Sequence, residues 1–278
     1  MSQLIHLKQR IKAISAIKKI TQTMRLISMS AHSKLKKQSE TMQLLKDEIE
    51  PLLCALTQKY SVTANEIKPK YKTLYILFAA EKGLCGTFNT TMFGYFNQHL
   101  TTENLENSHI ISVGKKTTEY LQKRNIETLA TFEKVLPNRL EKVAQDIYTK
   151  VADIKDNYQE VVCFYSYPKT FFVQEAESTT IIPTQQTDCG STNNIILDDY
   201  EWPQDASSVT ESLFETLLKL NILLILTNSM LSEQSARFLS MDNATRSADN
   251  LQKSMKLAFN KMRQAKITRE LIELIASF

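Results

Sequence analysis

A small α/β domain carrying a long antiparallel coiled coil, built from the two ends of the chain, is the architecture this sequence predicts. Three observations lead to it. All five glycines (Gly83, Gly86, Gly94, Gly114, Gly190) fall between residues 83 and 190, and no proline precedes Pro51 or follows Pro203, so both ends are free of helix breakers. Apolar residues recur at three- and four-residue steps along both ends, whereas short apolar runs alternate with helical patterns between them. Charge is divided in the same way: residues 1–39 hold nine basic residues and no acid, while the other 239 hold 25 basic and 30 acidic ones. The elements group as an N-terminal helix over 1–60, a globular domain over 70–203 and a C-terminal helix over 207–278.

In the first segment the stripe runs Leu4, Leu7, Ile11, Ile14, Ile17, Ile20, Met24, Ile27 and Ala31, then resumes through Leu35, Met42, Leu45, Ile49 and Leu52. This is one face of a long helix, with the lysines mostly off it. The helix is expected to pass Pro51 and continue toward residue 60.

The period then changes. Thr73–Ala80 is a near-continuous apolar run, as in a strand covered on both faces. Gly83 and Gly86 end it, and a helix over Thr90–Leu100 follows. His109–Val113 reads as a second strand, Lys115–Arg124 as a helix and Glu127–Phe132 as a third strand. Pro137 opens a helix carrying Leu140, Val143, Ile147, Val151 and Ile154, since proline suits a first-turn position. Glu160–Tyr165 is another buried strand, and Phe171–Tyr200 reads as a hairpin turning at residues 187–194. Strand alternating with helix points to a small, largely parallel, Rossmann-like sheet.

Ser208-Val-Thr-Glu211 is a capping box, and from there to Phe278 nothing breaks the helix. Its stripe passes Leu213, Leu217, Leu220, Leu224, Leu231, Phe238, Met241, Ala248, Leu251, Met255, Ala258, Met262, Ala265, Leu271 and Ile275. At 1.5 Å per residue a helix of roughly 70 residues makes a rod of about 105 Å, against a radius of gyration near ~19 Å for a compact chain of this length. Such a rod is expected to project, with the N-terminal helix as its companion along an antiparallel seam.

Composition excludes several classes. With 42% apolar and 23% charged residues the chain is not disordered. Only 13 uncharged residues separate Lys219 from Glu233, too few to cross a bilayer. Cys54, Cys85, Cys163 and Cys189 are far apart with no CxxC, so reduced thiols are expected rather than a disulfide framework or zinc site. His6, His32, His99 and His109 form no metal spacing. Gly114-Lys115-Lys116-Thr117 lacks two of the residues that a P-loop needs, and Glu81–Gly86 lacks dinucleotide-loop spacing; both read as strand-to-helix turns. Cys85 has no histidine evidently paired to it, Ser15-Ala-Ile-Lys18 is a weak pattern on a helix, and Asp198-Asp199 reads as a solvated pair. No catalytic residue, cofactor site or metal site is expected. The basic first helix remains as the chemical signal, and it asks for an acidic partner. Nucleic acid and an anionic membrane are rivals for that role, although no nucleic-acid motif is present and residues 1–59 contain no tyrosine or phenylalanine.

Three motifs resemble the gamma subunit of F-type ATP synthases. Leu7–Leu26 is similar to that family's opening, including Ile-Thr-x-x-Met at Ile20–Met24. Gly83-Leu-Cys-Gly-Thr-Phe-Asn89 is similar to its GLCGxxN loop, and Ser232–Ala248 with Asn260–Leu271 to its C-terminal signature. The resemblance implies a central rotor shaft that binds no nucleotide itself. Its coiled coil would lie inside a ring of alpha and beta subunits, and its foot on the c-subunit ring beside the epsilon subunit. By motif, Met24, Arg237, Gln264 and Thr268 correspond to positions facing the catalytic ring, and Glu270 is expected to pair with a base on the first helix. Arg237 reads equally well as an ion-pair partner of Glu233 one turn away. Residues 28–33 depart from the family pattern, and the paired-cysteine insert of the chloroplast form is missing. Because the match begins at the first residues and lysine outnumbers arginine seven to two there, a bacterial protein on the cytoplasmic face of the inner membrane is expected, without a presequence.

Overall fold

Helix α1 runs unbroken over Ser2–Tyr60, through Pro51. The computed structural model describes residues 2–60, 71–100, 108–182 and 206–277. After α1 come β1 (Tyr71–Phe78), α2 (Phe88–His99), β2 (Ser108–Val113), α3 (Lys115–Lys123), β3 (Ala130–Phe132) and α4 (Leu140–Ile154). A 3-10 turn at Lys155–Asn157 leads into β4 (Tyr158–Tyr167) and β5 (Glu175–Ile182), and α5 closes the chain over Ala206–Ala276. Two compact units result, one of Met1–Ser30 with Arg237–Phe278 and one of Ala31–Ala236.

The second unit is built on a five-stranded sheet in the order β3-β2-β1-β4-β5. Its first four strands are parallel, and β5 runs antiparallel to β4. Side chains of β1 alternate between two cores, as the pleat requires. Leu74, Ile76 and Phe78 pack with Val143, Ile147 and Val151 of α4, Leu35 of α1 and Leu218, Ile222 and Ile225 of α5. Tyr75 and Leu77 pack on the other face with Met92 and Phe96 of α2 and Leu121 of α3. Strands buried on both faces explain why the sequence shows continuous apolar runs rather than alternation.

Two turns position the strand ends. Gly114 has φ +94°, and a Cβ there would sit 2.2 Å from the Ala79 carbonyl oxygen. Gly114→Ala is therefore expected to destabilise the protein by at least about 2 kcal/mol, read by urea denaturation. In the GLCGxxN loop, Asn89 Oδ1 accepts the Ala80 N–H at 3.0 Å while its amide donates to Cys85 Sγ at 3.3 Å. The motif is thus a self-closing strand-to-helix connection, with Leu84 and Gly86 at positive φ and Cys85 buried.

Four expectations are corrected. Pro137 does not open α4, which starts at Leu140; it sits at the second position of a turn closed by the Arg139 N–H to the Leu136 carbonyl at 2.9 Å, another place that suits its fixed φ. α5 starts at Ala206, so Ser208 is already inside the helix and is not its cap. β5 forms its hairpin with β4, turning over residues 168–174. The proposed turn at 187–194, its second strand and Asp198-Asp199 lie outside the described residues. Cys85 and Cys163 are buried thiols outside any disulfide, but Cys54 is disulfide-bonded, against the expectation of reduced thiols.

The last correction concerns the stripes. In the first unit the inward face of α1 is Leu4, Leu7, Ile11, Ile14, Lys18, Thr21, Arg25 and Ser28, a strict alternation of three- and four-residue steps. Ile17, Ile20 and Ile27, placed on the seam by sequence, are 53%, 59% and 62% exposed. On α5 the inward face is Met241, Thr245, Ala248, Gln252, Met255, Phe259 and Met262, while Leu251, Ala258 and Ala265 are exposed. The physical cause is the 3.5-residue period of a supercoiled pair: after Ile14 the seam steps to Lys18, whereas apolarity steps to Ile17.

Candidate functional site

Cross-helix contacts in the first unit are polar at their centre. Lys18 Nζ meets Asp249 Oδ1 at 2.5 Å, Arg25 meets Asp242 at 2.6 Å, and Thr245 donates to the Thr21 hydroxyl at 2.8 Å. Partners advance along α1 as they recede along α5, so the helices are antiparallel. Each aspartate is also held by a cation one turn further along its own helix, Asp249 by Lys253 at 2.8 Å and Asp242 by Arg246 at 2.7 Å. The hydrogen bond from Lys18, seconded by that from Lys253, holds the Asp249 carboxyl down at about 2. The Arg25 hydrogen bond likewise lowers Asp242. Ile14, Ala248 and Met255 form a small apolar core beside this ladder.

Two surfaces remain. Of the nine cations among residues 1–39, Lys18 and Arg25 turn inward, while Lys8, Arg10, Lys12, Lys19, Lys34, Lys36 and Lys37 are exposed. At the other extreme, Ile267, Leu271, Ile272, Leu274 and Ile275 at the end of α5 are exposed, Ile275 by 76%. These turns lie past Met262, which shares a hollow with Gln3, His6 and Leu7 in the first turns of α1.

The residues singled out by motif do not gather at one point. Met24 is half-buried on α1, beside the seam rather than in it. Arg237 is only 6% exposed. Gln264 and Thr268 are exposed on the last turns of α5. Glu270 is also exposed, and it pairs with Lys266 of its own helix at 3.3 Å rather than with a base on α1. Sequence reasoning missed Lys18, Arg25, Asp242 and Asp249; a strict heptad count from Leu4 would have found the first two.

Helix α5 packs against the carboxyl ends of the strands. In an open α/β sheet, ligands bind beyond the carboxyl ends of the strands where the strand order reverses, here between β1 and β4. At the carboxyl ends of β1 and β2, Leu226, Ser229, Met230 and Glu233 of α5 face Phe78, Ala79, Val113 and Val135 across about 10 Å³. Ser232 Oγ donates to the Ser166 carbonyl at the end of β4 at 3.0 Å. Burial raises the Cys163 thiol far above its ordinary range, so it is no nucleophile. Among the described residues no cluster of histidine, cysteine, aspartate or glutamate is arranged to hold a metal, and no helix is long and apolar enough to cross a membrane.

An antiparallel two-helix coiled coil in one unit and a mixed five-stranded sheet flanked by helices in the other define an α/β protein with a coiled-coil extension of its terminal helices. The family model described as ATP synthase matches residues 3–278, and the chain belongs to that family. It is 30% identical to the ATP synthase gamma chain of Clostridium novyi, over 98% of this chain and 96% of the relative. It is 31% identical to that of Clostridium perfringens, with the same coverage of each. A chain in the Euglena gracilis mitochondrial ATP synthase structure (OSCP/F1/c-ring, rotational state 3) has the same fold, with a TM-score of 0.69, 16% identity, and 99% of this chain and 93% of that one covered. Another, in the Tetrahymena thermophila mitochondrial ATP synthase central stalk and c-ring, gives 0.58 at 19% identity, with 81% and 99% covered.

Proposed function

We propose that the chain is the central rotor shaft of a proton-translocating F-type ATP synthase, coupling rotation of the membrane ring to the catalytic sites while catalysing nothing itself. The end of α5 carries this reading. A run of exposed isoleucines and leucines is costly in water and asks for a surrounding sleeve, which a ring of alpha and beta subunits supplies. The seven outward cations of α1 suit acidic surfaces on that ring. Met24, Arg237, Gln264 and Thr268 are proposed ring contacts, and residues 70–203 the foot that docks on the c-subunit ring with the epsilon subunit alongside. The assembled subunit would lie peripherally on the cytoplasmic face of the bacterial inner membrane. A coiled-coil adaptor for nucleic acid or anionic membrane is less favoured, since it leaves the apolar end of α5 without a role.

Reconstitution tests this. Mixed with alpha and beta subunits, the chain is expected to enter a stable complex in one copy per three of each, and to stimulate ATP hydrolysis. Binding to nucleic acid or anionic vesicles that weakens steeply with salt, with no such complex, would favour the adaptor.

A further inference from the structure

The two units are held by different means. The sheet of the second is packed on both faces, with Leu74, Ile76, Phe78, Val161 and Cys163 in one core and Tyr75, Leu77 and Phe164 in the other. In the first unit, among the described residues, the buried apolar cluster is Ile14, Ala248 and Met255, with Ile11 packed against it. What else crosses that seam is polar and partly wet. The side chains of Lys18 and Asp249 are 27% and 31% exposed, and those of Arg25 and Asp242 34% and 15%. Parting the helices removes one cation from each aspartate and leaves the other, Lys253 or Arg246, in place on the same helix. The hydroxyls are alike: Thr245 can donate to the Met241 carbonyl at 2.7 Å and Thr21 to that of Lys18 at 3.0 Å, so neither needs the other helix. Ion pairs that exchange so readily for water contribute little to closure.

We propose that the first unit is a clasp: in the free chain its helices part and re-zip as a cooperative unit of their own while the sheet stays folded, and enclosure by other subunits of the complex holds it shut. Only the closure rests on the central-stalk reading; the opening is a property of the chain alone. Proteins open in contiguous units, and those that bury few apolar contacts open most readily. Opening does not require the helices to melt. Both α1 and α5 continue from the first unit into the second, which keeps them nucleated, and a nucleated helix extends at little cost per residue. Ile17, Ile20 and Ile27 stand exposed beside the seam. A surround that covers them adds the burial that pairing with α5 alone does not supply.

Hydrogen exchange of the full-length chain, free and in the purified complex, tests both halves. In the free chain, amides of 4–28 and 241–262 are expected to be at least roughly a hundredfold less protected than those of β1 and β4. In the complex the same helical amides should exchange at least about tenfold more slowly than in the free chain. Ile14→Ala, which empties part of the small cluster, should speed their exchange in the free chain by roughly tenfold or more and leave β1 and β4 unchanged. Equal protection of the two units in the free chain would overturn the clasp. So would an Ile14→Ala chain in which β1 and β4 speed up by the same factor as the helices, because the whole chain would then open as one. Helical amides that exchange no more slowly in the complex would overturn the closure. A chain that enters no complex yet shows the unequal protection would overturn the central-stalk reading and support the opening.

Discussion

Aspartate in place of Leu271, Ile272 and Ile275 is expected to leave the melting temperature of the free chain unchanged and to lower its stimulation of ATP hydrolysis at least tenfold. All three side chains are exposed on α5 beyond the first turns of α1, so the free chain loses no packing. In a ring of subunits the same side chains would be enclosed, and an enclosed polar group without a partner costs about 1–3 kcal/mol. Three such costs exceed what a tenfold loss requires, since about 1.4 kcal/mol is a factor of ten. Calorimetry of the free chain and a coupled hydrolysis assay of the complex make the comparison. Unchanged hydrolysis would mean that the end of α5 is not sheathed.

Acid is expected to loosen the helix pair of the first unit only below the usual carboxylate range. Because the folded state depresses both Asp242 and Asp249, the stability they contribute is present above the unfolded value, about 3.9, and is lost as pH falls through the folded one. For Asp249 that window runs from about 4 down to about 2. In the Asp242→Asn/Asp249→Asn variant the pH-dependent step disappears, and the pair is weaker at neutral pH because Lys18 and Arg25 keep their charge without an anion. Both effects follow from circular dichroism melts between pH 2 and 7. A wild-type curve without the acid step would remove the ladder from the account.

Much of the fold was legible because burial leaves a mark that composition can carry. The apolar runs of β1, β2 and β4, the glycine stops and the breaker-free ends each place an element within a few residues. What sequence could not place is instructive. Ile17, Ile20 and Ile27 mimic a seam so well that period alone points the wrong way there, and the true seam hides in Lys18, Thr21 and Arg25, whose polarity is neutralised only by partners more than 200 residues away. The antiparallel pairing of Glu175–Ile182 with β4 was not legible, because its partner lies upstream across the short connection at 168–174. Of the candidate site, the motifs single out Met24, Gln264 and Thr268, but no motif contains the information that Glu270 pairs within its own helix, with Lys266.

The ladder joins the chain's first 25 residues to its last 37, with Lys18 and Asp249 separated by 231 positions. During synthesis α1 therefore leaves the ribosome long before any part of its companion exists. At about 5–20 residues per second the delay is on the order of ten seconds or more. For that interval a basic helix with two apolar faces is without its mate, so production of this subunit should depend on chaperone supply more strongly than its modest length suggests.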